Sequence, residues 1–112
     1  MNNLDGAEIP SWLSVEITTA DHATWITLVG AAETSNLEHL QDALGDIALD
    51  GTREVHLCLS ELHFCDVRAL RQLFVLAVEV RRTGREVVVH DASHTIRKMI
   101  RLIDVDEVLR LG

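Results

Sequence analysis

Apolar and polar residues alternate in two runs near the start of the chain, on either side of the turn-like residues 20–22. This pattern predicts a β-hairpin whose second strand ends at Gly30. Before the hairpin, residues 1–13 lack periodicity and contain the single proline, so we expect a flexible leader there and a folded domain over residues 14–112. The alternating residues are Val15, Ile17 and Thr19 in the first run and Trp25, Thr27 and Val29 in the second.

Helical and strand-like spacings then succeed one another. Ser35 and Glu38 form the sequence pattern of a capping box for a first helix that runs to about residue 49. A third strand is predicted over residues 55–60, with a short loop after it. Val87, Val88 and Val89 form an uninterrupted β-branched run, which predicts a strand covered on both faces.

Asp66 joins an apolar segment to the clearest helical pattern in the chain. A carboxylate at that point can accept a hydrogen bond from a free backbone N–H and offset the positive end of the helix dipole. Capping can be its whole role, or it can also serve recognition. The predicted helix ends near Gly84, and its apolar stripe is Ala69, Leu70, Leu73, Phe74, Ala77 and Val80.

The order of elements defines the expected fold class. A third helix is predicted over residues 95–102, started by Asp91 or Ser93, and residues 105–111 fit either a helical turn or a last strand. Strands alternating with helices after a hairpin predict an α/β fold with right-handed crossovers. We expect a mixed sheet of four to five strands with three to four packed helices.

Composition and charge remove several classes of function. A formal net charge of −8 repels polyphosphate, so we expect no nucleic acid partner. No run approaches the roughly 20 apolar residues needed to cross a bilayer. The first residues lack a basic segment followed by an apolar core, so no secretory signal is predicted and we expect a cytoplasmic protein.

Cysteine and histidine residues offer weak candidates for metal or catalytic chemistry. The only two cysteines fit free thiols. Two clusters can be drawn: a zinc site, or an acid–base group near the fourth strand. Neither has the spacing of a known signature, and no glycine-rich phosphate loop is present, so we expect no catalytic residues, no metal and no cofactor. The clusters are His56, Cys58, His63 and Cys65, and His90, Asp91, Ser93 and His94.

Four short motifs, in order and with matching gaps over about residues 14–111, resemble a STAS domain of the anti-sigma-factor antagonist type. Each motif alone is weak, and their succession carries the resemblance. The motifs are Leu28-Val29-Gly30-Ala31-Ala32-Glu33, Val55-His56-Leu57-Cys58-Leu59, Leu62-His63-Phe64-Cys65-Asp66 with Ala69-Leu70, and Gly84-Arg85-Glu86-Val87-Val88-Val89.

The resemblance implies a STAS-like fold and a regulatory protein that binds an anti-sigma factor or a serine-kinase-like regulator, and so controls release of a sigma factor. In that family a hydroxyl residue after the aspartate is phosphorylated to switch binding off. Val67 and Arg68 replace it here, so phosphorylation at that place is not expected. The implied partner-binding residues are Glu33, Asp66, Val67, Arg68, Ala69 and Leu70.

Several alternatives stay open at this point. Arg68 either reaches back to Asp66 or Glu61 or projects toward an acidic partner. Glu33 either supports the first helix or joins a docking surface with the Asp66 loop. The chain can instead be a detached STAS accessory or ligand-sensing subunit of a transporter or lipid-export ATPase. Another hydroxyl can have taken over the switch, and the chain can be a monomer or a homodimer.

Overall fold

The structure is a computed structural model that describes residues 12–47, 52–104 and 106–112. Within these residues, five strands form one sheet whose spatial order follows the order along the chain, with the first two strands antiparallel and the remaining neighbours parallel. The expected α/β, STAS-like fold is confirmed. The elements are β1 Leu13–Ala20, β2 Ala23–Ala32, α1 Leu37–Gly45, β3 Glu54–Cys65, α2 Val67–Arg82, β4 Val87–His90, α3 His94–Ile103 and β5 Leu109–Leu111.

The predicted hairpin is confirmed, with Asp21 and His22 as a two-residue turn between β1 and β2. Both residues have positive φ, which matches the right-handed twist of the paired strands. Strand β2 continues past Gly30 to Ala32, so the predicted strand end is wrong. Gly30 has a φ of +107° at a shift in the pairing of β2 with β3, and this irregularity lets the chain stay in the sheet. The leader predicted for residues 1–13 lies, except for its last two residues, outside the described residues.

One face of the sheet carries the helices. Each parallel connection leads to the next strand in one direction, and right-handed crossovers then place all three helices on the same side. The buried apolar residues of sheet and helices form a single cluster there. In β4, Val87 and Val89 are buried while Val88 and His90 are only half-buried, so the expected cover on both faces is wrong.

The first helix begins differently from its prediction. A turn of 3₁₀ helix, Thr34–Asn36, precedes α1, and its capping box joins Glu33 to Asn36 rather than Ser35 to Glu38. Helix α1 ends at Gly45, earlier than the expected residue 49; the predicted stop at Asp50 and Gly51 lies outside the described residues. Because β2 continues to Ala32, Glu33 is the first residue beyond the strand, and it is the N-cap of this turn.

The boundaries of the remaining elements, β3, α3 and β5, determine where the candidate site lies. Strand β3 runs without a loop to Cys65, because the shifts in its pairing with β2 absorb the break in alternation after Ser60. Ser93 is the N-cap of α3, where its hydroxyl accepts from the Ile96 N–H at 3.2 Å. The end of the chain forms the strand β5, which decides between the two expected alternatives.

Candidate functional site

Asp66 joins two loops at the carboxyl ends of β2 and β3. Its Oδ1 accepts a hydrogen bond from the Ala69 N–H at 2.9 Å, which confirms the predicted N-cap of α2. Its Oδ2 accepts from both the N–H and the hydroxyl of Thr34, at 2.9 and 3.2 Å. The backbone N–H of Asp66 donates to the Ala32 carbonyl at 3.0 Å. The carboxylate therefore caps α2 and holds the loop that follows β2.

The parallel pairing of β2 with β3 brings these loops together. Ala32 and Cys65 are register partners at the carboxyl ends of the two strands, so Glu33 and Asp66 leave the sheet side by side. Asn36 then holds the first loop in shape: its Oδ1 accepts from the Glu33 N–H at 3.0 Å and its Nδ2 donates to the Ala31 carbonyl at 2.8 Å. Glu33 thus supports the helix entry, as one of the two interpretations expects, and it also lies beside the Asp66 loop.

The predicted partner-binding residues separate into surface and core. Val67 and Arg68 are exposed, and Glu33 and Asp66 are half-buried. Ala69 and Leu70 are both 0% exposed, so they cannot touch a partner in this conformation and their predicted place in the surface is wrong. Helical geometry is the reason, since these two side chains follow the cap on the side of α2 that packs on the sheet.

Arg68 does not reach back to the nearby acids. Among the described residues no ion pair joins it to Asp66 or Glu61, and the carboxylate of Asp66 is occupied by other donors. The guanidinium therefore projects from the first turn of α2. Phe64, which the sequence analysis did not single out, is 39% exposed immediately before the junction. The signal in the sequence that could have identified Phe64 is an aromatic residue at the end of a strand.

Burial makes Cys65 an inert neighbour of this site. Desolvation, with a further contribution from the charge of Asp66, raises the pKa of its thiol from 9.0 to about 12. The thiol stays protonated at neutral pH, and Sγ lies 3.6 Å from the Asp66 carbonyl oxygen. Cys65 therefore packs as a small apolar residue under the junction.

The zinc site that was considered from the sequence is not formed by these residues. Because β3 is one extended strand, the nine residue steps from His56 to Cys65 span about 30 Å. His56 instead pairs with a histidine of the next strand: its Nδ1 lies 2.8 Å from Nε2 of His90, and its Nε2 lies 2.8 Å from Oε1 of Glu54. Within the described ranges, no group of three or more His, Cys, Asp or Glu side chains is placed to hold a metal ion.

Trp25 completes this cluster on the face of the sheet opposite the helices. Its ring stacks on His56 and His90, with centroids 4.2 and 5.0 Å apart. The sequence analysis missed the cluster because it depends on the register of Trp25 beside His56 and of Cys58 beside His90. The only signal of the cluster in the sequence is that Trp25, His56 and His90 occupy the same phase of the alternation in their strands. The second cluster considered from the sequence, around His90 and Asp91, is also divided, because the side chain of Ser93 caps α3.

The chain belongs to the STAS domain family, since the family model described as "Mlab, STAS domain" matches residues 15–111. No curated protein matches the chain by sequence. No helix in the described residues is long and apolar enough to cross a membrane.

Solved structures show the same fold at low sequence identity. An anti-sigma factor antagonist from Mycobacterium paratuberculosis is 20% identical, with a TM-score of 0.75 over 91% of this chain and 86% of that one. The Bacillus anti-sigma factor antagonist SpoIIAA, in its unphosphorylated form, is 14% identical, with a TM-score of 0.67 over 90% and 87%. A third, from Rhodobacter sphaeroides, is 19% identical, with a TM-score of 0.60 over 76% and 96%.

Proposed function

We propose that this STAS domain is a binding protein, not an enzyme, that acts in the cytoplasm by docking on an anti-sigma factor or a serine-kinase-like regulator. The resulting complex frees a sigma factor. The docking surface is the junction of the two loops and the first turn of α2. Its members are Glu33, Phe64, Asp66, Val67 and Arg68.

The bonded pair of loops carries this proposal. Thr34 and Asp66 join the end of β2 to the start of α2, so the surface is ordered before a partner arrives. Val67 and Phe64 supply apolar contact area beside this tether, and the guanidinium of Arg68, which has no ion-pair partner among the described residues, supplies a charge. Aromatic residues and arginine are enriched where protein interfaces bind most strongly. The likeness to structures of anti-sigma factor antagonists supports the class of partner.

Phosphorylation does not switch this surface in the way expected of the family. Val67 and Arg68 have no hydroxyl that could accept a phosphoryl group. A hydroxyl beside the junction is that of Thr34, which donates to Asp66. A phosphate on Thr34 would place two like charges together and break the tether between the loops. We therefore propose that the surface is not switched at positions 67 and 68, and that Thr34 is the hydroxyl at which phosphorylation would disturb it.

A second candidate follows from the same missing acceptor. A subunit that stays bound needs no phosphorylation switch, so the chain can instead be a detached accessory or ligand-sensing subunit of a transporter or a lipid-export ATPase. The two candidates predict different captured proteins, and the same surface serves both.

Affinity capture with the wild-type protein and two variants tests the proposal. We expect the wild type to recover an anti-sigma factor or kinase-like regulator from its native cytoplasm, and Arg68→Glu to bind that regulator at least about tenfold more weakly. Arg101→Glu, which inverts an exposed arginine on α3, is the matched control and should bind as the wild type does. The free energy of unfolding of Arg68→Glu, measured by thermal unfolding, should stay within about 0.5 kcal/mol of the wild-type value, because an acidic residue is favourable in the first turn of a helix.

Recovery of an ATPase would favour the second candidate. Equal regulator binding by wild type and Arg68→Glu would remove Arg68 from the interface. Failure of the wild type to recover any protein of either class at low salt would contradict the proposal as a whole.

A further inference from the structure

The outward face of α2 carries valine and arginine side chains along its whole length. At 100° per residue, six positions fall within a sector of about 100° that lies opposite the buried stripe of the helix. They begin at the proposed docking surface and continue to the last turn. All six are exposed: Val67, Arg68, Arg71, Val75, Val78 and Arg82.

Single exposed apolar residues are normal on soluble proteins, so the grouping is what matters. Eight large apolar side chains are exposed among the described residues, and three of them lie within this one sector of α2. Val67, Val75 and Val78 are 43%, 57% and 39% exposed. Phe64 adds a fourth at the entry to the helix. Half of the exposed large apolar side chains in the described residues thus lie on or beside α2.

The charge of this face opposes that of the chain. The sequence has 18 acidic residues against 10 basic ones, yet the sector contains three arginines and no acid. In the described part of the chain, Arg68 and Arg71 take part in no ion pair. Arg82 pairs with Glu79 at 2.8 Å, just outside the sector. Two unpaired cations between exposed valines complement an acidic, partly apolar surface.

We propose that the outward face of α2 binds an acidic amphipathic helix of the regulator, and that this contact extends the docking surface along α2. The inference rests on the proposed function, since it describes the same partner. Helix α2 has 16 residues, which gives a face about 24 Å long. A cavity of about 310 Å³ between α1 and α2 borders this face and is lined in part by Gln41, Leu44, Ile47, Gln72, Val75 and Leu76.

Carboxylates of such a helix would meet Arg68 and Arg71, while its apolar side chains would cover Val75 and Val78. Nucleic acid fits less well, because the remainder of the chain is strongly acidic and valine offers no stacking surface. An anionic membrane also fits less well, because the other side of α2 is held in the core and valine is a shallow anchor.

Titration of the full-length protein with defined probes tests the inference. The probe is a fluorescein-labelled 18-residue helical peptide with glutamate on one face and leucine on the other. A peptide of the same composition in scrambled order is compared, as are vesicles of phosphatidylglycerol and phosphatidylcholine. Fluorescence anisotropy and vesicle co-sedimentation measure binding. The wild type should bind the amphipathic peptide at least tenfold more tightly than the scrambled one.

Paired variants locate the contact. Arg71→Glu with Val75→Ser should weaken peptide binding at least tenfold. Arg101→Glu with Leu102→Ser makes the same kinds of change on α3, where Leu102 is 78% exposed, and should leave binding unchanged. Equal binding of both peptides, equal binding by the two double variants, or preferential binding to the vesicles would each overturn the inference.

A second measurement separates this inference from the proposed function. If the regulator is captured and its binding depends on Arg68 but not on Arg71 and Val75, the proposed function stands and the extension along α2 is wrong. If the wild type captures no regulator but discriminates between the peptides through Arg71 and Val75, the face is an acidic-helix site and the proposed class of partner is wrong.

Discussion

Asp66 makes more contacts than an ordinary N-cap, and the difference is measurable. Replacing it with alanine removes the cap bond to Ala69 and both bonds from Thr34. Ser93 provides a matched case, since its side chain caps α3 through one bond to Ile96. Urea unfolding should show that Ser93→Ala lowers the free energy of unfolding by about 1 kcal/mol and Asp66→Ala by about 2 kcal/mol or more. Equal losses in the two variants would mean that the Thr34 tether contributes nothing to stability.

The cap of Asp66 follows from local sequence, because the residue lies directly before a helical stripe. Its bonds to Thr34 do not, since they join residues 32 positions apart. Likewise, burial of Ala69 and Leu70 follows from the helical period, whereas the family resemblance alone implies a place for them in the surface. Residue-scale chemistry was therefore predictable where it depends on neighbours in sequence and not where it depends on strand pairing.

Cys65 should give the protein a pH-dependent stability above neutrality. Its folded pKa of about 12 lies above the ordinary 9.0, so the folded state holds the proton more tightly than the unfolded state does. The contribution is fully present below about pH 9 and is lost as the pH rises from 9 toward 12. Urea unfolding at several pH values should show this decline. Cys65→Ala should show a shallower one, and Cys58 remains in both proteins as an internal control. Identical slopes would contradict the assignment to Cys65.

At the scale of the element, Gly30 is the residue on which β2 depends. A β-carbon there would clash with the carbonyl oxygen of Trp12, and its φ of +107° disfavours any side chain. Gly30→Ala should therefore lower the free energy of unfolding by roughly 1–3 kcal/mol. Gly45, at the end of α1, is the matched control because a β-carbon there meets nothing within 4 Å. Gly45→Ala should raise the free energy of unfolding by up to about 1 kcal/mol. Thermal unfolding of both variants measures the two changes.

The opposite signs of these two effects are the decisive result. A Gly30→Ala variant as stable as the wild type would mean that β2 and Trp12 can separate without cost. The comparison also explains why sequence analysis ended β2 too early. Glycine weakens a strand pattern, and only the approach of Trp12 shows that this glycine keeps the strand in the sheet.

Elements with a clean period were predicted well, and those with an interruption were not. The hairpin and α2 follow an unbroken pattern, so their existence and type were correct. Strand β3 changes its alternation after Ser60 because its pairing with β2 shifts there. Helix α1 begins through a 3₁₀ turn that Glu33 and Asn36 hold, and the Ser35 and Glu38 pattern concealed it. Both misses come from irregularities that leave no periodic signal.

For the whole molecule, net charge should determine the response to salt. With a net charge of −8 and a Cα radius of gyration of 14.2 Å, most charges interact at 10 mM salt, where the Debye length is about 30 Å. At 150 mM it falls to about 8 Å, which screens the repulsion. The melting temperature should rise by a few degrees between these conditions.

A charge-reduced protein controls for specific ion effects. Glu16→Gln with Asp42→Asn neutralises two exposed acids and changes the net charge from −8 to −6, so its melting temperature should rise less with salt. A wild-type melting temperature that falls as salt is added would show that attractive ion pairs outweigh the repulsion.

The order of strands and helices along the chain was enough to predict the mixed sheet and its class. The composition of each face was less accessible. The valine run in β4 indicated two covered faces, but all three crossovers pack on one side and leave Val88 and His90 half-buried on the other. Which face is covered is a property of the connections, and single strands do not encode it.

The bonds between Thr34 and Asp66 should also affect the kinetics of the proposed recognition. Two loops that are already fastened together present one rigid shape, so an incoming protein has no search through loop conformations to wait for. Complex formation should then proceed at a single observed rate that rises in proportion to partner concentration, without a plateau. Thr34→Ala removes the bond from the hydroxyl and leaves the bond from the N–H, and this weaker connection should introduce a slower, concentration-independent phase before the complex tightens.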